Sequence, residues 1–325
     1  MLKHWKLAML ATTISLAGCG SIIDDPDQAV KERQKMAVVL SDVGLGDQSF
    51  SDAAMSGMAL LREKEDWFID YRELGETKTY KVAFDTLAKE KPTVVVGLGF
   101  MGQAELEEVA KRYPLQQFAL IDAVSELPNV LSVTFKEDEG SYLAGAAAAL
   151  QSENETIGFV GGMKSPLIEK FEKGYTAGAK AVNPDIKVLV DYAEDFAAPE
   201  KGRTIANDQM KQQADVLFAA AGLTGSGVLE AAQAKGNKAI GVDSDQTAIA
   251  PDAVMTSMLK QVDLAITTIG DTVKEKGLQS GQIVLGVKEG AIQLAPIRNV
   301  TFSEKDLKQL EQLKQDVLEG KVDVQ

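Results

Sequence analysis

Three aspartates in this chain follow closely on short runs of apolar, often β-branched residues: Asp42 after 37–40, Asp122 after 118–121 and Asp243 after 239–242. A carboxylate is an acceptor with two oxygens, so it suits a vicinal diol, each oxygen taking one hydroxyl. Singly, any of the three could be a cap or a turn residue; together they point to a polyol site. Two glycine-bearing loops accompany them. Residues 41–52 lead into a predicted helix with Ser51 or Asp52 as its cap. Residues 220–227, which include Gly222, allow close backbone approach, and a helix expected near Gly227 offers free N–H groups. A plain strand-to-helix turn is the alternative there. Phe50 and Phe196 are loop aromatics, able either to clasp a planar ring or to plug the core.

The remaining composition narrows the chemistry. One His and one Cys among 325 residues leave no material for a disulfide framework, a structural zinc site or a Ser-His-Asp triad. Against 34 basic residues stand 48 acidic ones, a net charge of −14, so nucleic acid is not an expected partner. Hydrophobic residues at 45% and charged residues at 25% describe an ordinary globular chain, and the length suggests about two domains.

The elements that must position these residues begin after a leader. Lys3 and Lys6 precede an apolar run over 7–16, then Ala17, Gly18 and Cys19, the order of a secretory signal peptide. Leu16-Ala17-Gly18-Cys19 resembles a bacterial lipobox, which implies cleavage before Cys19 and acyl chains on it that anchor the protein to a membrane. A polar stretch with Pro26 then reads as a tether. Beyond it, strands are predicted at 37–40, 67–71, 93–96, 118–121 and 131–134, and a second series at 156–160, 187–190, 216–219, 239–242 and 254–257. Helices are predicted between them, at 52–64, 103–112, 168–182 and 227–235. Apolar strands alternating with helices call for parallel sheets covered on both faces. Two such series predict an α/β protein of two Rossmann-like lobes, crossing near 135–140. In such sheets ligands sit beyond the carboxyl ends of the strands, where the three aspartates lie.

Two segments imitate nucleotide motifs. Residues 97–102 spell GxGxxG, with Asp122 twenty residues on. The unit is third in its lobe, however, whereas the dinucleotide fingerprint belongs to the first strand–helix turn, and an exported protein has poor access to NAD. Residues 158–165 look like a phosphate loop, but Met163 stands where glycine should precede the lysine. No cofactor is expected.

The ordered set of Asp42 to Ser51, 118–122, 158–163, 171–180, Asn183-Pro184-Asp185, 220–227, 240–246 and 256–260 resembles the basic-membrane-protein family of nucleoside-binding lipoproteins. The resemblance covers nearly the whole chain beyond the leader. It implies a type I periplasmic-binding-protein fold whose lobes close by a hinge on a ligand and deliver it to an ABC permease, without covalent chemistry. It divides the chain into a signal peptide (1–18), a lipid-anchored tether (19–35), a first lobe (36–135 plus about 259–288) and a second lobe (136–258 plus about 289–325). By matching motifs, Phe50 and Phe196 sandwich a nucleobase, and Asp122 and Ser51 address its edge. Asp243, Lys260 and Gly222 hold the ribose, with Asp42 nearby and Asp243 balancing the charge of Lys260. Ser51 departs from the Asn usual in the family, and the loop from Asp42 to Phe50 is one residue shorter. No Arg cluster meets the strand ends, so an uncharged nucleoside, a purine one in the first instance, is expected in preference to a nucleotide. A sensory lipoprotein of the same fold, a sugar receptor and a nucleoside hydrolase are the alternatives.

Overall fold

The computed structural model describes residues 33–277 and 280–322; the leader, Cys19 and the tether through residue 32 lie outside the described residues. From Gln34 onward the chain forms one unit. Its first strands are β1 (Lys35–Val39), β2 (Phe68–Arg72), β3 (Val94–Leu98), β4 (Phe118–Ile121) and β5 (Val130–Phe135). Next come β6 (Thr156–Gly161), β7 (Lys187–Tyr192), β8 (Val216–Ala220), β9 (Lys238–Asp243) and β10 (Val254–Lys260), then β11 (Gly281–Leu285) and β12 (Ile292–Leu294). One sheet has the order β11-β5-β4-β3-β1-β2 and the other β12-β10-β9-β8-β6-β7. All pairings are parallel except β10 with β12.

The central strands β1, β3, β4, β5, β6 and β8 bury nearly every residue, as strands covered on both faces must, whereas the edge strands β2 and β7 leave every residue at least partly exposed. The cover comes from α1 (Phe50–Glu65), α2 (Leu74–Thr77), α3 (Tyr80–Lys89), α4 (Gln103–Arg112) and α5 (Glu137–Gln151). It continues with α6 (Pro166–Val182), α7 (Pro199–Lys211), α8 (Leu223–Lys235), α9 (Val262–Lys276) and α10 (Glu304–Leu318). The helices α5 and α6 cross in van der Waals contact. A Cβ at Gly145 would lie 1.9 Å from the Tyr175 carbonyl oxygen, and one at Gly178 1.8 Å from that of Tyr142.

The chain passes between the sheets after Phe135, after Lys260 and between Leu285 and Ile292. The crossing segments are laced together: Lys136 N–H donates to the Leu285 carbonyl (2.9 Å), and Gln261 N–H to that of Ala291 (2.8 Å). The Glu139 carboxylate accepts from Val287 N–H (2.9 Å). β10 continues through Lys260, so the second crossing begins at Gln261. Two sequence-based helix boundaries are corrected. The helix expected near Gly227 begins at Leu223, immediately after Gly222 at φ +55°. Thr224, Gly225 and Ser226 are weak helix formers and disguise the start. Ser51 and Asp52 are not caps but lie inside the first turn of α1, whose N-cap position is Ser49.

Candidate functional site

The loop between β1 and α1 is organised by Asp47, which is 3% exposed. Its carboxylate accepts the N–H groups of Ser49 (3.0 Å), Ser51 (2.8 Å) and Asp52 (3.2 Å), satisfying donors that a helix start leaves free. Asp52 reaches back to the N–H groups of Gly46 and Gln48 (2.9 Å each). This mutual capping fixes Phe50 at the first turn of α1. The aspartates that end β4 and β9 share an unusual backbone: Asp122 has φ +71° and Asp243 φ +63°, a region that Asp tolerates better than most residues.

A cavity of about 90 Å³ lies between the carboxyl ends of the two sheets. Of the eight ligand-binding residues expected from sequence, seven line it: Asp42, Phe50, Asp122, Phe196, Gly222, Asp243 and Lys260. Ser51 does not. It is fully buried, and its hydroxyl bonds to that of Ser41 (2.7 Å), so Ser41 is the residue that faces the cavity.

Both discarded glycine motifs find their use here. A Cβ at Gly162 would lie 2.1 Å from the Phe196 ring, so the bare backbone of the loop after β6 is the seat of that ring. Gly99, with φ +93°, leaves the equivalent 3.4 Å beside the Phe50 ring. Phe100 follows it and meets Phe196 edge to face, with ring centroids 6.4 Å apart and planes at 71°. Leu167, Ile168 and Phe171, on the opening turns of α6, complete an apolar wall. Sequence reasoning missed Phe100 although it stands just beyond a strand end, the position most worth inspecting. It missed the α6 residues because an apolar helix face reads as core.

Lys260 carries the site's positive charge and is 2% exposed. Its ammonium donates to Asp122 Oδ2 (2.6 Å) and lies 3.2 Å from Glu137 Oε1. The rings of Phe50, Phe135 and Phe171 surround it at 5.2, 4.9 and 5.7 Å. Burial works to strip its proton, but the charges of Asp122, Glu137 and Asp243 outweigh burial and hold the group above the usual lysine range. Asp243 contributes to this balance as expected, but Asp122 is the bonded partner and Glu137 the second. Asp243 accepts a hydrogen bond from the Ser49 hydroxyl across the cleft. Burial pushes the carboxyls of Asp122, Glu137 and Asp243 upward, with Lys260 opposing in each case. Asp42 lies at the rim as an exposed residue, yet its carboxyl is partly screened from water by the protein, and that burial raises it. Beside the cavity, the Gln48 carbonyl accepts from the Ser244 hydroxyl (2.8 Å) and from Gln246 Nε2 (3.2 Å). The first lobe's loop is thereby joined to the second lobe.

The arrangement offers paired carboxylate oxygens to hydroxyls, aromatic faces to a flat ring and a single ammonium outnumbered by acids. The family model described as "ABC transporter substrate-binding protein PnrA-like" matches residues 34–325. The chain is 33% identical to the ABC transporter nucleoside-binding protein BmpA of Lactococcus lactis, over 97% of this chain and 96% of that one. It is 34% identical to basic membrane protein B of Borreliella burgdorferi, over 79% of each. Among solved structures, an ABC transporter solute-binding protein from Aeropyrum pernix superposes with a TM-score of 0.82 at 27% identity, over 89% of this chain and 92% of that one.

Proposed function

Because the chain belongs to the PnrA-like family of ABC transporter substrate-binding proteins, we propose that it is a receptor for nucleosides, purine nucleosides foremost. It is held on the extracytoplasmic face of the membrane by acyl chains on Cys19 and delivers its ligand to an ABC permease for import. The observation that carries the ligand class is one cavity bringing aromatic rings and diol-accepting carboxylates from both lobes around one ammonium. The name of the Lactococcus lactis relative supports it. In this reading Phe50 and Phe196 face the base. Asp122, with Ser41 supported by Ser51, serves the base edge. Asp243, Lys260 and the backbone at Gly222 take the ribose, and Asp42 lies near by. No guanidinium lines the cavity, and its acids outnumber its ammonium, so a phosphate dianion meets net repulsion.

The volume of about 90 Å³ is below the ~300 Å³ at which small-molecule pockets begin, so a nucleoside requires Phe100 and Phe196 to part. The laced crossing segments are the natural hinge for that motion. Isothermal titration with inosine, guanosine, adenosine, cytidine, uridine and ribose tests the reading. Micromolar or tighter binding of the purine nucleosides is expected. Heat with ribose alone would replace the nucleoside by a sugar, and silence with all six would end the proposal.

A further inference from the structure

Glu137 is wholly buried, does not line the cavity, and carries one of the charges on which the site depends. It opens α5 directly after the first crossing, beside Lys136, whose N–H is tied to β11. Lys260 closes β10 directly before the second crossing, beside Gln261, which is tied to Ala291. Since α5 packs on β10 and β12, Glu137 and Lys260 belong to one packed body and sit next to the pivot. Asp122 belongs to the other lobe, at the end of β4. A hinge opening therefore draws Asp122 away from the ammonium while the 3.2 Å separation from Glu137 is preserved.

We propose that Glu137 is the standing counter-ion of Lys260, a positioning residue that keeps the ammonium in place at the cavity when the lobes part and Asp122 withdraws. The inference rests on the receptor reading, because it needs lobes that open. A buried ammonium left with no opposite charge within contact is strongly disfavoured. Glu137 supplies that charge without occupying space meant for the ligand. Its other oxygen lies 3.5 Å from Lys170 on α6, which anchors the carboxylate from behind. The groups facing the pair are thus Asp122 from β4, Asp243 from β9 and Lys170 from α6, with three phenyl rings filling the remaining directions. Asp122 becomes the exchangeable partner, bonded in the closed form and free to turn to a ligand or solvent in the open one.

The test reads Lys260 itself. Acetylation by acetic anhydride consumes only the unprotonated amine, so its rate against pH, followed for Lys260 by peptide mass spectrometry on ligand-free protein, reports how firmly the proton is held. In Glu137→Gln the midpoint for Lys260 should fall by at least one pH unit, and in Glu137→Asp most of that fall should be recovered. In Asp122→Asn the fall should be smaller than in Glu137→Gln. General loosening of the fold would also lower the Lys260 midpoint, but it would raise the acetylation rates of other lysines as well, so an unchanged Lys35 rate in the same sample assigns the shift to the lost Glu137 charge. Coincident midpoints in the wild type and Glu137→Gln, or a larger fall in Asp122→Asn, would overturn the proposal. Nucleoside titration of the same proteins is expected to show at least tenfold weaker binding for Glu137→Gln. If the midpoints move as stated but the wild type binds no nucleoside, the receptor reading fails and only the Glu137–Lys260 pairing stands, without its role in opening.

Discussion

At the scale of single residues, the site works through acceptors that burial has made reluctant to ionise. Asp243 must be a carboxylate to take two hydroxyls, and its burial raises the pH at which it gains a proton. Its ligand-competent form is therefore present above that raised value and is lost as pH falls through it. Titration calorimetry should show nucleoside binding weakening on acidification at a higher pH than an ordinary aspartate would dictate, while circular dichroism shows the fold intact. Replacing Asp243 by Ala leaves a bound diol poorly paired and should cost about 1–3 kcal/mol of binding, with an unchanged dissociation constant removing Asp243 from the site. The sequence pointed to the strand-end aspartates and to Phe50 and Phe196 only as a set, because each aspartate alone reads equally as a cap or turn residue and each phenylalanine as a core plug; the structure places them around one cavity, Phe50 on the first turn of α1. Glu137 was not legible. Nothing in a helix-opening Lys-Glu-Asp-Glu run distinguishes the one carboxylate that points inward to Lys260 from the two that do not.

At the scale of elements, glycines decide where side chains fit. Gly162→Ala would put a methyl group into the seat of Phe196, so the ring must leave its place. Loss of nucleoside affinity with nearly unchanged melting behaviour is expected. Gly145→Ala, far from the cavity, should behave in the opposite way. A methyl group against the Tyr175 carbonyl forces α5 and α6 apart, for about 1–3 kcal/mol of stability by urea denaturation. Binding by the protein that remains folded should be little changed. Parallel central strands announced themselves through unbroken apolar runs, and all ten predicted strands are present. The short β11 and β12 escaped notice. Exposed edge positions such as Gln282 and Gln293 dilute the apolar signal, and pairing with β5 and β10 makes them strands. The GxGxxG motif shows the limit of pattern reading: two of its glycines admit neighbouring side chains, Leu106 over Gly97 and Tyr80 over Gly102.

At the scale of the whole molecule, two lobes meet around an acid-rich chamber in a chain of net charge −14. Inosine should therefore bind where inosine monophosphate does not, and raising the salt concentration should not restore the monophosphate, because a buried repulsion is screened little. Small-angle scattering should record a fall in the radius of gyration on adding a purine nucleoside. Identical curves with and without ligand would mean that the lobes do not move.

The clasp at the Gln48 carbonyl has a consequence for timing. Ser244 and Gln246 hold the first lobe's loop without lining the chamber, so their bonds must break before anything inside departs. Part of the cost of opening is thus carried by atoms outside the chamber, beside the Ser49–Asp243 and Lys260–Asp122 bonds that also cross between the lobes. Stopped-flow release from Ser244→Ala or Gln246→Ala should be faster for every nucleoside by a similar factor, leaving the ranking among them as it was. In the proposed receptor, changes at these two residues would alter release while leaving the groups that line the chamber untouched.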